Sequence, residues 1–210
     1  LMAPRGTLPA GTSPGIAAGM HEVALGLGIH VLRAAAGRLE AIYVDRFASP
    51  GRVVVGAGVT LAAAGALGAL ALECGELELA SVLAGAPRFA RDDAVLGIRL
   101  TGSPAPYVSG QDVAFEIARR LAPGGAGGRL VEFTGHGVAS LSMSDRMVLA
   151  GGSGEWGAGA AQFPAHRVTR EWLAVHGRAS EWRKSEAADE GGDEWIDLDL
   201  GVIEPQVAEL

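Results

Sequence analysis

Short apolar runs alternate with helix-like stretches along most of this chain, and glycine-rich turns separate them. That rhythm restricts the fold more than any other feature. After a Ser49-Pro50-Gly51 turn, residues 52–58 (R-V-V-V-G-A-G) read as a buried strand and 60–73 as a small-residue helix. Residues 94–100 (A-V-L-G-I-R-L) read as the next strand. Ser109 and Asp112 have capping-box spacing and open a helix over 111–121, with Arg119 and Arg120 in its last turn, where cations suit the helix dipole. Beyond P-G-G-A-G-G comes another strand, R-L-V-E-F at 129–133, and a short helix over 168–176 opens near Thr169. The acidic run 185–194 reads as a solvated loop, and the alternating tail I-D-L-D-L-G-V-I-E-P (196–205) as a closing edge strand. Nearer the N-terminus, Val23, Leu27, Val31 and Leu32 at helical spacing predict an amphipathic helix over 20–39. Strand and helix in turn predict an α/β fold, layered α/β/α, with a mainly parallel sheet. Residues 1–14 read as a flexible lead without an apolar signal region. Residues 15–210 form the domain, divisible into lobes at 15–95 and 96–210.

Composition narrows the function classes. Hydrophobic residues make up 49% and aromatics only 5%, so the core must be built mainly from Ala, Val and Leu. The longest apolar stretch, 53–72, is broken by glycines and reads as strand plus buried helix, so no membrane span is expected. Net charge is −7, from 17 basic and 24 acidic residues, with no basic stripe among aromatics, which argues against a nucleic-acid partner. Cys74 is the one cysteine; it forbids an intrachain disulfide, fits a reducing cytoplasm, and is too few for a thiolate iron–sulfur or zinc site. The glycines after the first strand lack a third small residue, Leu61 standing in its place, so a dinucleotide fingerprint fails. His166 and His176 have no carboxylates arranged around them, and no metal site is expected.

Two segments carry a more specific signal: V-E-F-T-G-H-G-V (131–138) and S-D-R-M-V-L-A-G-G-S-G-E-W-G-A (144–158). Together they resemble a signature of the aconitase and isopropylmalate-dehydratase superfamily, in which a segment like R-M-T-V-C-N-M-A-I-E-A-G-A follows. Arg146, Met147, Glu155, Gly157 and Ala158 hold register, while Ala150, Gly151 and Gly152 replace Cys-Asn-Met. The similarity continues elsewhere. His21-Glu22-Val23 is similar to the family's G-x-x-H-Q-V, Leu100-Thr101-Gly102 with Val108-Ser109 and Asp112-Val113 to its l-t-G…v-s-a-k-D-v, and Phe163-Pro164, Gly177-Arg178 and the tail follow in order. Against the family's V-V-G-t-D-S-H-T frame, Gly58, Val59 and Thr60 stand where Asp, Ser and His would be. The resemblance implies an aconitase-like α/β domain and a hydro-lyase site with an iron–sulfur cluster. The family's cluster cysteines lie in a segment beyond residue 210, so no cofactor is expected from these residues.

The resemblance also implies site residues. His21 and Glu155 occupy active-site positions and are the candidate acid–base pair. His136, in a glycine-flanked turn at a strand end, is a candidate substrate contact. Arg146 and Asp145 are candidates to anchor a carboxylate, the guanidinium fork matching one bidentately. Thr60 is a hydrogen-bonding substitute for the lost histidine. Two functions follow as expectations. One is a cofactor-independent isomerase, lyase or cyclase acting by proton transfer on a small molecule, more apolar than citrate and of natural-product type, as a homo-oligomer or with a partner. The other is a half-site subunit that needs a partner carrying the missing domains.

Overall fold

The computed structural model describes residues 2–5, 19, 22–33, 39–57, 59–88, 94–121, 125–186 and 194–207. It divides into two compact units, 1–47 and 48–210, a boundary well before the one expected at residue 95.

In the first unit, β1 (Met2–Arg5) pairs in parallel with β2 (His30–Arg33), Met2 opposite His30. Part of the expected flexible lead is therefore strand. The amphipathic helix expected over 20–39 is also revised. Residues 22–26 are helical, Gly28 closes that turn with φ of 69°, and β2 follows. A left-handed residue ends a helix, and the backbone amides of Gly28 and Ile29 return to the carbonyls of Leu25 and Ala24. Helix α1 (Leu39–Arg46) comes next.

The second unit opens with β3 (Val53–Gly56), a strand as the apolar run predicts but not a buried one, since Val53 is exposed and Val54 and Val55 only half-buried. The small-residue helix expected over 60–73 does not form. A 3-10 segment covers Val59–Leu67, and β4 (Leu70–Glu73) then pairs in parallel with β3, Val53 opposite Leu70. Gly68, at φ of 84°, makes the turn between them, and its carbonyl accepts from Gly51 N–H. Helix α2 (Glu76–Leu83) has no buried residue.

The larger sheet is β5 (Val95–Thr101), β6 (Leu130–Thr134), β7 (Ala160–Gln162) and β8 (Glu194–Asp199), in the order β7-β6-β5-β8 and parallel throughout. The mainly parallel α/β fold read from the alternation is therefore present; the tail is an edge strand as far as Asp199, and a 3-10 turn, Leu200–Val202, replaces the rest of the strand expected to 205. Helices α3 (Gly110–Arg120), α4 (Met143–Gly151) and α5 (Arg167–Val175) connect successive strands. The expected capping box opens α3: Ser109 N–H donates to the Asp112 carboxylate at 2.7 Å. Apolar faces of β5 and β6 (Leu96, Ile98, Leu100, Val131, Phe133) and of α3 (Val113, Ile117) are fully buried, with Leu149, Leu173 and Leu198. Phe133 and Phe163 stack at 4.1 Å between centroids. Among the described residues no helix is long and apolar enough to cross a membrane.

Candidate functional site

Helix α4 starts where local chemistry dictates. Ser142 caps it: the Asp145 amide donates to Ser142 Oγ at 3.2 Å, and Ser142 N–H donates back to the Asp145 carboxylate at 3.1 Å. Asp145 also accepts from Gly110 N–H at 2.8 Å, so one carboxylate ties the start of α4 to the first residue of α3. Its polar capacity goes to the scaffold, although it was expected to help anchor a substrate.

The helix then packs along Val59–Leu67. Small residues permit this closeness: a Cβ on Gly151 would sit 3.6 Å from Ala63, in ordinary contact. The 3-10 segment Val59–Leu67, which opens with two of the substituted positions, thus packs against the helix that carries Ala150 and Gly151. A short 3-10 turn, Ser153–Trp156, follows α4, and Gly157 leaves it with φ of 73°. Ser153 is buried and its hydroxyl donates to the Ala150 carbonyl at 2.7 Å. Between this turn and the β4 region runs a crevice of about 20 Å³, lined by Leu61, Ala62, Leu72, Glu73, Ser153 and Gly154, and floored by residues 158–160. It has room for roughly one water.

Glu155 lies in the turn forming one wall, exposed, its N–H donating to the Gly152 carbonyl at 2.9 Å. Thr60 is in the opposite segment by its backbone position. Gly58 and His21 lie outside the described residues. His136 is exposed at the carboxyl end of β6, where its Nε2 accepts from Gly102 N–H at 3.3 Å. It does not line the crevice.

Arg146 differs most from expectation. It is 0% exposed, one guanidinium nitrogen donating to the Val138 carbonyl at 2.7 Å and the other to that of Pro164 at 3.5 Å. Its plane lies over the Phe163 ring, 5.6 Å from the centroid. Burial, and then the charge of Arg167, lower its pKa to about 10. Nε has no hydrogen-bond partner among the described residues. The fork is buried and ties the Val138 and Pro164 backbones together.

The iron–sulfur cluster implied by the resemblance does not fit the donors present. Such a cluster needs several thiolates, and the single cysteine, Cys74, is buried with its Sγ donating to the Gly56 carbonyl at 3.5 Å. Among the described residues no group of three or more His, Cys, Asp or Glu is placed to hold a metal ion.

One feature escaped the sequence reading. His166, Arg167, Arg170 and Lys184 line a concavity with Trp182 at the start of α5. The i, i+3 spacing of Arg167 and Arg170 was the only local trace of it.

A family model, aconitase family (aconitate hydratase), matches residues 16–209. Mitochondrial aconitate hydratase of Gracilaria gracilis is 29% identical over 188 residues, 86% of this chain and 24% of that protein. Mitochondrial homocitrate dehydratase of Saccharomyces cerevisiae is 28% identical over 191 residues, 86% of this chain and 24% of the relative. The 3-isopropylmalate dehydratase large subunit 1 of Thermotoga maritima is 28% identical over 190 residues, 90% of this chain and 46% of its own length. The chain therefore spans between a quarter and a half of these curated relatives.

Proposed function

The chain belongs to the aconitase family, and we propose that it supplies one wall of a lyase-type active site in which Glu155 moves the proton. The relatives carry the names aconitate hydratase, homocitrate dehydratase and 3-isopropylmalate dehydratase, so the substrate class proposed is a hydroxy-acid with two or more carboxylates, or its alkene. The observation that supports this reading is the packing of Val59–Leu67 against α4 and the Ser153–Trp156 turn, with a crevice lined by residues next to Thr60 and Glu155 in the chain. In elimination, an exposed carboxylate such as Glu155 takes the proton from the carbon beside the leaving hydroxyl; in hydration it returns it. His21 is the second acid–base group that the resemblance proposes. With Cys74 as its one cysteine, this sequence does not supply the thiolates of an iron–sulfur cluster.

The crevice holds about 20 Å³, against roughly 300 Å³ or more for a typical small-molecule pocket. This favours a site that closes against further polypeptide, either a partner subunit or a second copy. The proposed chemistry needs no cofactor, and apolar Val59 in place of a polar family residue suits a substrate more apolar than citrate.

The test follows formation of an unsaturated acid by ultraviolet absorbance with citrate, homocitrate and 3-isopropylmalate as probes. Glu155→Gln should lower kcat by about 10²–10⁴-fold with little change in substrate affinity. Unchanged turnover in that variant would remove Glu155 from the mechanism. A visible iron–sulfur absorption band in the purified chain would overturn the cofactor-free form.

A further inference from the structure

We propose that the concavity at the start of α5 is a binding site for a small oxyanion carrying two or more negative charges. It is separate from the crevice and does not depend on the lyase reading. The two sites sit at opposite ends of one strand: β7 begins at Ala160, which lines the crevice, and its carboxyl end leads within a few residues to His166. Outside the carboxyl ends of parallel strands is where α/β proteins seat ligands.

The concavity encloses about 410 Å³ and is lined by His166, Arg167, Arg170, Trp182, Lys184 and Glu186. That is the size of a small metabolite, larger than a bare inorganic ion needs. Among the described residues three permanent cations face it with one carboxylate, and that carboxylate, Glu186, pairs with Lys184. Arg167 pairs at 2.9 Å with Glu171, but both side chains are mostly exposed, 68% and 59%, so the pair is worth little and can open to a ligand. Arg170 has no ion pair among the described residues. Its guanidinium lies over the Trp182 ring, 5.4 Å from the centroid, which orients a planar fork beside the opening. His166 Nε2 is buried and has no hydrogen-bond partner among the described residues.

Among the described residues the cations gather where a helix start already favours an anion. The first turn of α5 contains no acidic residue and carries Arg167 and Arg170 instead, adding cations where the helix dipole is already positive. Arg167 also bears on buried Arg146, depressing its pKa. A dianion seated among Arg167, Arg170 and Lys184 relieves these repulsions together. Phosphate esters and polycarboxylates share the required chemistry.

Calorimetric titration of the whole chain at low ionic strength with pyrophosphate and with tricarballylate tests the site. At least one probe should bind below about 1 mM, and its identity separates a phosphate source from a carboxylate one. Arg167→Ala combined with Arg170→Ala should weaken that binding at least about tenfold, and Arg170→Lys should weaken it less. Glu155→Gln should leave it unchanged. Should the double variant lose its circular-dichroism signal, Lys184→Ala, at an exposed position, carries the same expectation at about threefold or more. No heat from either probe up to about 10 mM, or equal affinity in wild type and the arginine variants, would overturn the site.

Discussion

Arg146 illustrates how a residue keeps its place in a motif while its job is set by its neighbours. A fully buried guanidinium with no carboxylate partner among the described residues retains its charge because carbonyls of Val138 and Pro164 and the face of Phe163 replace part of its hydration. Its side chain is also the largest of the fully buried ones, so it fills volume. Two substitutions separate the contributions. Arg146→Ala should lower unfolding free energy by about 2–5 kcal/mol through the cavity and the stranded carbonyls. Arg146→Met keeps most of the volume and removes the buried charge, and should cost roughly half as much or less. Urea unfolding of both variants measures the difference; equal losses would mean the hydrogen bonds, not the packing, dominate. Asp145 is a parallel case, since its carboxylate serves the starts of α3 and α4 together.

Between elements, closeness of approach decides the architecture. The 3-10 segment Val59–Leu67 lies between α4 and β7, and Gly65 is where the fit is tightest: any Cβ there would strike the Ala161 carbonyl, and Gly65 O accepts from Phe163 N–H at 2.9 Å. Both neighbours are backbone, so neither can turn aside. Gly65→Ala should therefore destabilise by about 3 kcal/mol or more, read as a drop in the urea midpoint. A change below about 0.5 kcal/mol would show that the segment can shift at little cost. This close approach also explains why the segment is not the α-helix its small apolar residues suggest. The tighter 3-10 winding, ending at Gly68, delivers the chain to β4 in register with β3.

Across the whole molecule, acid stability should depend on α3. Hydrogen bonding from Arg119 beside Glu116, with Arg120 adding to it against the opposing effect of burial, holds that carboxyl at about 2 rather than its usual 4.5. Asp112 is lowered too, burial pushing it up but amide hydrogen bonds from Gln206 and Ser109 prevailing. A depressed carboxyl stabilises the fold fully above its unfolded value, so the contribution from Glu116 is present above about pH 4.5 and is lost as pH falls toward 2. Arg119 is exposed and screened, which limits the loss to roughly 1–2 kcal/mol; Glu116→Gln should flatten the stability profile in that window. Sequence by itself determined the strand–helix alternation, the capping boxes, the edge strand at the tail and the family, because hydrogen-bonding caps and apolar periodicity act between residues a few positions apart. It did not reveal the pairing of Met2–Arg5 with His30–Arg33, the inward turn of Arg146 or the cationic concavity of Arg167, Arg170 and Lys184. Those depend on groups brought together from distant parts of the chain: the carbonyls that receive Arg146 belong to residues 138 and 164, and Lys184 joins the arginines only once the chain has left α5. Tertiary packing decided them, because whether a buried charge or a cluster of like charges is tolerable depends on what surrounds it in space.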